Sequence, residues 1–264
     1  MHHHIDLFAP LRARFDLAGL VGAYSLRHGG VSRSPFESLN LGFSTGDDPE
    51  SVRVNRTRFA EDLQIPIERW VVAGQCHGHR VLEVNGSDGG EGALAPSERL
   101  RGYDALVLAE PNLFALSLSA DCPLVVVADP RSIRAGVAHA GWRGTAAGVV
   151  EEMLGALEAA GSDLSECFAA ISPGICGDCF EVGEEVFDAV AQRPGAGIAR
   201  SGQTLDLRLI HREILRSAGL SPGRICQSEV CSYEDSSNCF SHRRDRGQTG
   251  RNGLILGFRG PCDR

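Results

Sequence analysis

Apolar residues recur along the chain in two rhythms, and each rhythm predicts its own kind of element. Short runs rich in Val, Leu, Ile and Ala over residues 69–74, 80–84, 104–109, 113–119, 123–128, 133–138, 167–171 and 253–257 predict strands. Asp129-Pro130-Arg131-Ser132 has the composition of a turn joining two of them. Helical spacing with clear punctuation marks four further segments. Residues 49–63 open with Pro49 after Asp48 and repeat Val52, Phe59 and Leu63 on one face. Residues 145–160 carry Val149, Val150, Met153, Leu154 and Leu157 and stop at Gly161. Residues 181–192 carry Val182, Val186 and Val190; residues 207–218 follow Asp206 as an N-cap and end at Gly219. Residues 86–98 and 193–204, rich in Gly with Ser, Ala or Pro, read as surface loops. No repeat or linker divides the chain, so residues 1–264 predict a single domain. Several strands follow one another without an intervening helix, which excludes strict βαβ alternation and predicts a mixed α/β (α+β) layered sandwich.

Three of the apolar segments end in residues that carry chemistry. They are Gln75-Cys76-His77-Gly78-His79, Ser119-Ala120-Asp121-Cys122-Pro123 and His139-Ala140-Gly141-Trp142-Arg143-Gly144. Polar groups set between buried strands are costly unless paired or ligated, so three such breaks predict one shared site at an edge of the sheet. A lone cysteine such as Cys122 is by default a small buried apolar residue. His79 lies two residues from His77 and points the other way in an extended segment. The joint occurrence is what favours a site: His77, Cys122 and His139 supply two imidazoles and a thiolate, a donor set that suits zinc and leaves a fourth tetrahedral position open. Such an ion keeps Cys122 deprotonated and lowers the pKa of a bound water. Gly141, Gly144 and Gly148 allow a tight strand-to-helix turn that either binds an anion or simply packs closely.

Composition narrows the partners. Lys plus Arg is 26 against 34 Asp plus Glu, a formal charge of −8, which argues against nucleic acid or an anionic membrane as a partner. No apolar run approaches the roughly 20 residues of a membrane span. The N-terminus lacks the pattern of a secretory signal, so a cytoplasmic, monomeric protein is expected, and the His2–His4 tract is assigned no chemistry. The nine cysteines are expected to be reduced, because disulfide frameworks belong to small secreted domains. Arg27 in Arg27-His28-Gly29-Gly30-Val31-Ser32, and Arg243, Arg244 and Arg251 near the C-terminus, would favour a phosphate or carboxylate if they converged on a cleft.

These segments together resemble the bacterial multicopper polyphenol oxidase (laccase) domain family, whose better-supported activity is zinc-dependent phosphorolysis of purine nucleosides. The matching runs extend through Ser38-Leu39-Asn40-Leu41-Gly42, Gly46-Asp47-Asp48, Asn55-Arg56, Gln75-Cys76-His77-Gly78, Asp104-Ala105, Ala120-Asp121-Cys122, His139 to Gly144, Phe180-Glu181-Val182-Gly183, Leu205-Asp206-Leu207 and Phe240-Ser241-His242-Arg243-Arg244. The resemblance implies an αββα-type sandwich, similar to the catalytic domain of a deamidating bacterial toxin. It carries the metal ligands onto His77, Cys122 and His139, and substrate-side arginines onto Arg27, Arg56 and Arg243 or Arg244. Gln75, Asp121 and Cys122 are the catalytic candidates beside Arg27, and Arg143 joins the phosphate-binding set. The chain departs from the family's pattern in three places. Cys76 stands where an aliphatic residue is usual, and Pro123-Leu124 replaces a small-x-Pro order. Cys176 and Cys179 mimic half a zinc knuckle, but no second C-x-x-C or paired His follows, so no structural zinc is expected there.

The expected function is therefore zinc-dependent cleavage of adenosine, inosine or guanosine, and methylthioadenosine as a further candidate, by phosphate to free base and ribose 1-phosphate. Adenosine deamination is a related reading, although the His-x-Glu and Pro-Cys-x-x-Cys signature of zinc deaminases is absent and His211-Arg212-Glu213 is a chance match within a helix. A laccase needs about ten histidines; outside the N-terminal tract there are His28, His77, His79, His139, His211 and His242. Copper is thus an alternative occupant in vitro, not a multicopper relay. The non-metal alternative is a cysteine hydrolase editing peptidoglycan precursors, with Cys122 as nucleophile and His139 as base.

Overall fold

The computed structural model describes residues 4–260; His2, His3 and Cys262 lie outside them. In chain order its elements are β1 (His4–Asp6), α1 (Ala9–Arg12), β2 (Leu20–Ser25), α2 (Pro49–Leu63), β3 (Trp70–Val71), β4 (Val81–Val84), β5 (Ala105–Leu108), β6 (Phe114–Ser119), β7 (Leu124–Asp129) and β8 (Arg134–His139). There follow α3 (Trp142–Ala147), α4 (Val149–Ala159), β9 (Phe168–Ile171), α5 (Glu184–Val190), α6 (Ala196–Ala199), β10 (Arg200–Ser201), β11 (Thr204–Leu205), α7 (Leu207–Ser217), β12 (Ile225–Gln227) and β13 (Asn252–Phe258). One sheet has the order β1-β2-β13-β6-β3 and the other β12-β9-β7-β8-β5-β4, with β10 and β11 forming a separate ribbon. Both sheets are mixed. β3 runs parallel to β6, β4 to β5 and β12 to β9, whereas β13 pairs antiparallel with both its neighbours.

The layers follow from the two-residue alternation of the strands. Val125 and Val127 of β7, with Ala105 and Val107 of β5, face Val149, Met153 and Leu157 of α4 and Ile210 and Ile214 of α7. Their neighbours Leu124, Val126, Leu106 and Leu108 face the other way, onto Ala115, Leu254 and Leu256 of the five-stranded sheet. The outer face of that sheet, with Phe114, Leu116 and Ile255, is covered by Phe59 and Leu63 of α2. The result is helix, sheet, sheet, helix, the expected αββα sandwich. Strands covered on both faces read as unbroken apolar runs, which is why β7 is written Leu-Val-Val-Val-Ala.

The eight predicted strands and the four helical segments are present. Helix α2 has the predicted bounds: Asp48 caps it by accepting from Glu50 and Ser51 N–H, a cap that contributes about 1 kcal/mol. Asp206 caps α7 in the same way. Asp129 closes the β7–β8 hairpin by accepting from the Arg131 and Ser132 N–H groups. The expected helix over 145–160 is instead two, α3 and α4, because Gly148 sits in the left-handed region at φ 89°. The segment expected as a loop over 193–204 holds α6 and the hairpin of β10 with β11. The edge strands β1 and β12, and the interior strand β2, gave no strong sequence signal. No helix among the described residues is long and apolar enough to cross a membrane.

Helices α3 and α7 are tied by a buried bond between Thr145 Oγ1 and His211 Nε2, 2.8 Å long. Burial alone pulls the His211 pKa down to about 3, so the ring is neutral in the folded chain and takes up a proton only on unfolding. The unfolded chain then binds more protons between the ordinary histidine range and about 3, and stability falls as pH falls through that window. This group alone is expected to cost about 1.4 kcal/mol per pH unit below roughly pH 6. Chemical denaturation of His211→Gln from pH 7 to pH 4 should show a shallower loss than the parent chain; equal slopes would refute the assignment.

Candidate active site and metal centre

Each of the three candidate ligands sits where the chain passes from one layer to the next. His77 lies in the passage from β3 of the five-stranded sheet to β4 of the six-stranded one, and Cys122 in the passage from β6 to β7. His139 ends β8, just before α3. Their donor atoms all lie within 4.8 Å of one another, and the two imidazole rings stand edge to face with centroids 4.8 Å apart. His79 is not in this group, although the segment is a tight turn rather than the extended run expected of it.

Asp104, at the start of β5, holds the group together. Its carboxylate, fully buried, accepts from the backbone N–H of Cys76 (3.1 Å), His77 (2.8 Å) and Gly78 (2.7 Å). It also accepts from His139 Nδ1 at 3.0 Å, while its carbonyl accepts from the His139 N–H at 2.8 Å. Three N–H donors on one carboxylate fold the 76–78 segment tightly and place His77 at φ 63°. Burial works against ionising Asp104, but these donors hold its pKa well below the carboxylate range. With Nδ1 protonated toward Asp104, His139 presents Nε2 to Cys122. Burial opposes the Cys122 thiolate, yet His139 and then His77 lower its pKa below the ordinary thiol value. Burial likewise opposes a charged His139, and Cys122 and Asp104 raise it.

Glycine fits this geometry where a side chain would not. A Cβ on Gly141 would lie 2.6 Å from Cys122 Sγ and 3.6 Å from the His77 ring. A Cβ on Gly144 would lie 3.0 Å from the Gly78 carbonyl oxygen, so close packing accounts for these two glycines. Two imidazoles and a thiol converge beside an open cleft, with the thiolate favoured by the imidazoles and the His139 ring oriented by Asp104. This donor chemistry fits a zinc-type ion with one position open.

The cleft above the trio has a volume of about 680 Å³. Its wall pairs aromatic rings with guanidinium groups: Arg143 stacks on Trp142 (4.2 Å), Arg243 on Phe180 (5.3 Å) and Arg56 on Phe43 (4.5 Å). Arg101 and Arg251 also line it. Neither stood in the predicted set of site residues, although Arg251 was visible as one of the C-terminal arginines.

The remaining predicted residues occupy varied positions. Gln75 lines the cleft, but its amide pairs with the Leu118 N–H (2.8 Å) and carbonyl (2.9 Å) and fastens the His77 loop to β6. Asp121, at φ 86°, accepts from Ser232 Oγ (2.7 Å) and the Arg243 N–H (2.7 Å), which orients the loop that carries Cys122. Arg56 is buried and donates to the carbonyls of Leu41, Gly92 and Ala93. Arg27 and Arg244 do not line the cleft with the others. Arg27 donates to the carbonyls of Glu37 and Ser236 and stacks on Phe240. Arg244 grips Asp245 with two bonds and donates to the carbonyls of Ser232, Tyr233 and Cys239. Their donors brace the loop that carries Arg243.

Known proteins share this arrangement's sequence and fold. The chain is 36% identical over 247 residues to the purine nucleoside phosphorylase YlmD of Bacillus subtilis, covering 91% of this chain and 89% of that protein. It is 31% identical over 236 residues to adenosine deaminase RL5 of an unknown prokaryotic organism, covering 85% and 88%. The crystal structure of YlmD from Geobacillus stearothermophilus superimposes with a TM-score of 0.85 at 36% identity, covering 92% of this chain and 93% of that one. The family described as multi-copper polyphenol oxidoreductase laccase matches residues 22–259, and the chain belongs to that family.

Proposed function

We propose that this chain cleaves purine nucleosides with phosphate, using a zinc ion held by His77, Cys122 and His139. The observation that carries this reading is the placement of three zinc-type donors beneath a cleft whose wall alternates guanidinium groups with aromatic faces. The names of the relatives support nucleosides as substrates.

Phosphorolysis joins a phosphate oxygen to the anomeric carbon as the bond to the base breaks, through a sugar with oxocarbenium character. Arg143, Arg243 and Arg251 offer the charge-assisted bonds that bind and orient an anion there. Trp142, Phe180 and Phe43 offer flat apolar surface to a purine. Arg56, Gln75 and Asp121 act as positioning residues, and Arg27 and Arg244 support the Arg243 loop. When bound, the ion would act as a Lewis acid and orient an anionic or polar substrate group. The two imidazoles of the trio are too few for a multicopper relay among the described residues.

A second reading has its own support. Cys122, His139 and Asp104 also lie in the order nucleophile, base and orienting carboxylate. Chelation separates the two, since a cysteine hydrolase needs no ion.

The zinc-loaded protein is expected to convert inosine and adenosine to base and ribose 1-phosphate only when phosphate is present. Cys122→Ala or removal of the metal should abolish this. Activity that survives chelation would favour the cysteine hydrolase, and ammonia released without phosphate would favour deamination. Arg243→Ala removes a charged donor, an interaction worth about 1.5–3 kcal/mol, so the KM for phosphate should rise by roughly 10- to 150-fold; an unchanged KM would remove Arg243 from the phosphate site. Metal entry must expel the proton that Cys122 and Asp104 hold on His139. Zinc affinity is therefore expected to fall about tenfold per unit of acidification from pH 8 to 7, one proton per ion. Competition with a chelator at each pH checks this, and a flat profile would contradict it.

A further inference from the structure

A second set of donors lies outside the cleft. The sulfur atoms of Cys176, Cys179 and Cys231 and a carboxylate oxygen of Glu234 all lie within 4.8 Å of one another. The partner that the Cys176–Cys179 half-knuckle lacks in the sequence is a segment more than fifty residues away, Cys231-Ser232-Tyr233-Glu234, a C-x-x-E in place of a second C-x-x-C. Backbone pairing brings the two halves together. Gly174 bridges Cys231 in parallel register, and the Ser232 N–H donates to the Gly174 carbonyl at 3.0 Å. The N–H groups of Cys179 and Phe180 both donate to the Cys176 carbonyl, closing a tight turn that folds the second thiol back over the first. The Cys176 N–H donates to Cys231 Sγ at 3.3 Å, a bond that favours sulfur as thiolate.

The surroundings suit a cation bound by anionic sulfur. The three cysteines are free thiols. Two guanidinium groups bracket Cys231. Arg208 donates to the carbonyls of Ser228 and Val230, and Arg244 to those of Ser232 and Tyr233. They offset part of the excess negative charge of three thiolates and a carboxylate around a divalent ion.

We infer that Cys176, Cys179, Cys231 and Glu234 bind a second, structural divalent ion of the zinc class, closed by four protein donors and distinct from the trio at the cleft. Four donors leave no position for substrate, which is the structural pattern. The ion would fasten together parts of the cleft wall. Ile175 and Phe180, which line the cleft, flank the first cysteine pair. Ser232, next to Cys231, holds the Asp121 carboxylate beside Cys122.

The test is metal content by mass spectrometry of the intact protein and by elemental analysis, after purification without chelators. The parent chain is expected to carry two ions, Cys122→Ala one and Cys179→Ser one. Cobalt in Cys122→Ala should show the strong sulfur-to-metal absorption of a three-thiolate site, and Glu234→Gln should weaken retention while leaving the protein folded. If Cys179→Ser does not fold, Cys122→Ala decides the matter. One ion in Cys122→Ala against two in the parent supports this site beside the cleft trio, whereas one ion in each supports this site and removes the cleft trio as a zinc site. A Cys122→Ala protein without bound metal, or a native disulfide among these three cysteines, overturns the inference.

Discussion

The carboxylate of Asp104 accepts a bond from the His139 ring and three from consecutive backbone N–H groups of the segment that carries His77. Both imidazoles of the trio therefore depend on one buried anion. A buried carboxylate is costly unless its oxygens are satisfied, and here the acceptors are met by donors from two separate passages of the chain. The same bonds that make the anion tolerable fix the tautomer of His139 and the strained backbone of His77. Removal of the carboxylate would release both ligands at once.

The sandwich gives this anion its place. Each candidate ligand lies where the chain changes layer, so the trio gathers at one end of the sheets rather than within a core. There Cys122 hangs from a loop fastened by Asp121 to Ser232 and Arg243, and the His77 loop is fastened by Gln75 to β6. Polar residues expected to act on substrate thus act first on one another. The arginines divide in the same way. Arg27 and Arg244 satisfy backbone carbonyls away from the cleft, Arg56 does so while lining it, and Arg143, Arg243 and Arg251 line it as well.

Much of this was legible in the sequence, and the reason is physical. Strand and helix periods, the Asp48 and Asp206 caps and the Asp129 turn are local signals, and the structure bears them out. That His77, Cys122 and His139 come together was legible because polar residues break apolar runs at each of them. Signals that depend on distant pairing were not. Asp104 is one acidic residue before an apolar strand, and its importance appears only when the 76–78 loop closes on it. Cys231 and Glu234 complete the Cys176 turn only through the Gly174 bridge. Short edge strands such as β1 and β12 take their form from their partners, not from propensity.

The most direct measurement of the central claim is the zinc affinity of Asp104→Asn, set beside its far-ultraviolet circular dichroism. Asparagine keeps the shape but not the charge that holds His139 and the 76–78 loop. The account predicts a native spectrum with zinc bound roughly 10- to 100-fold more weakly, the usual loss when a ligand's supporting carboxylate is removed. Zinc affinity equal to that of the parent chain would contradict it.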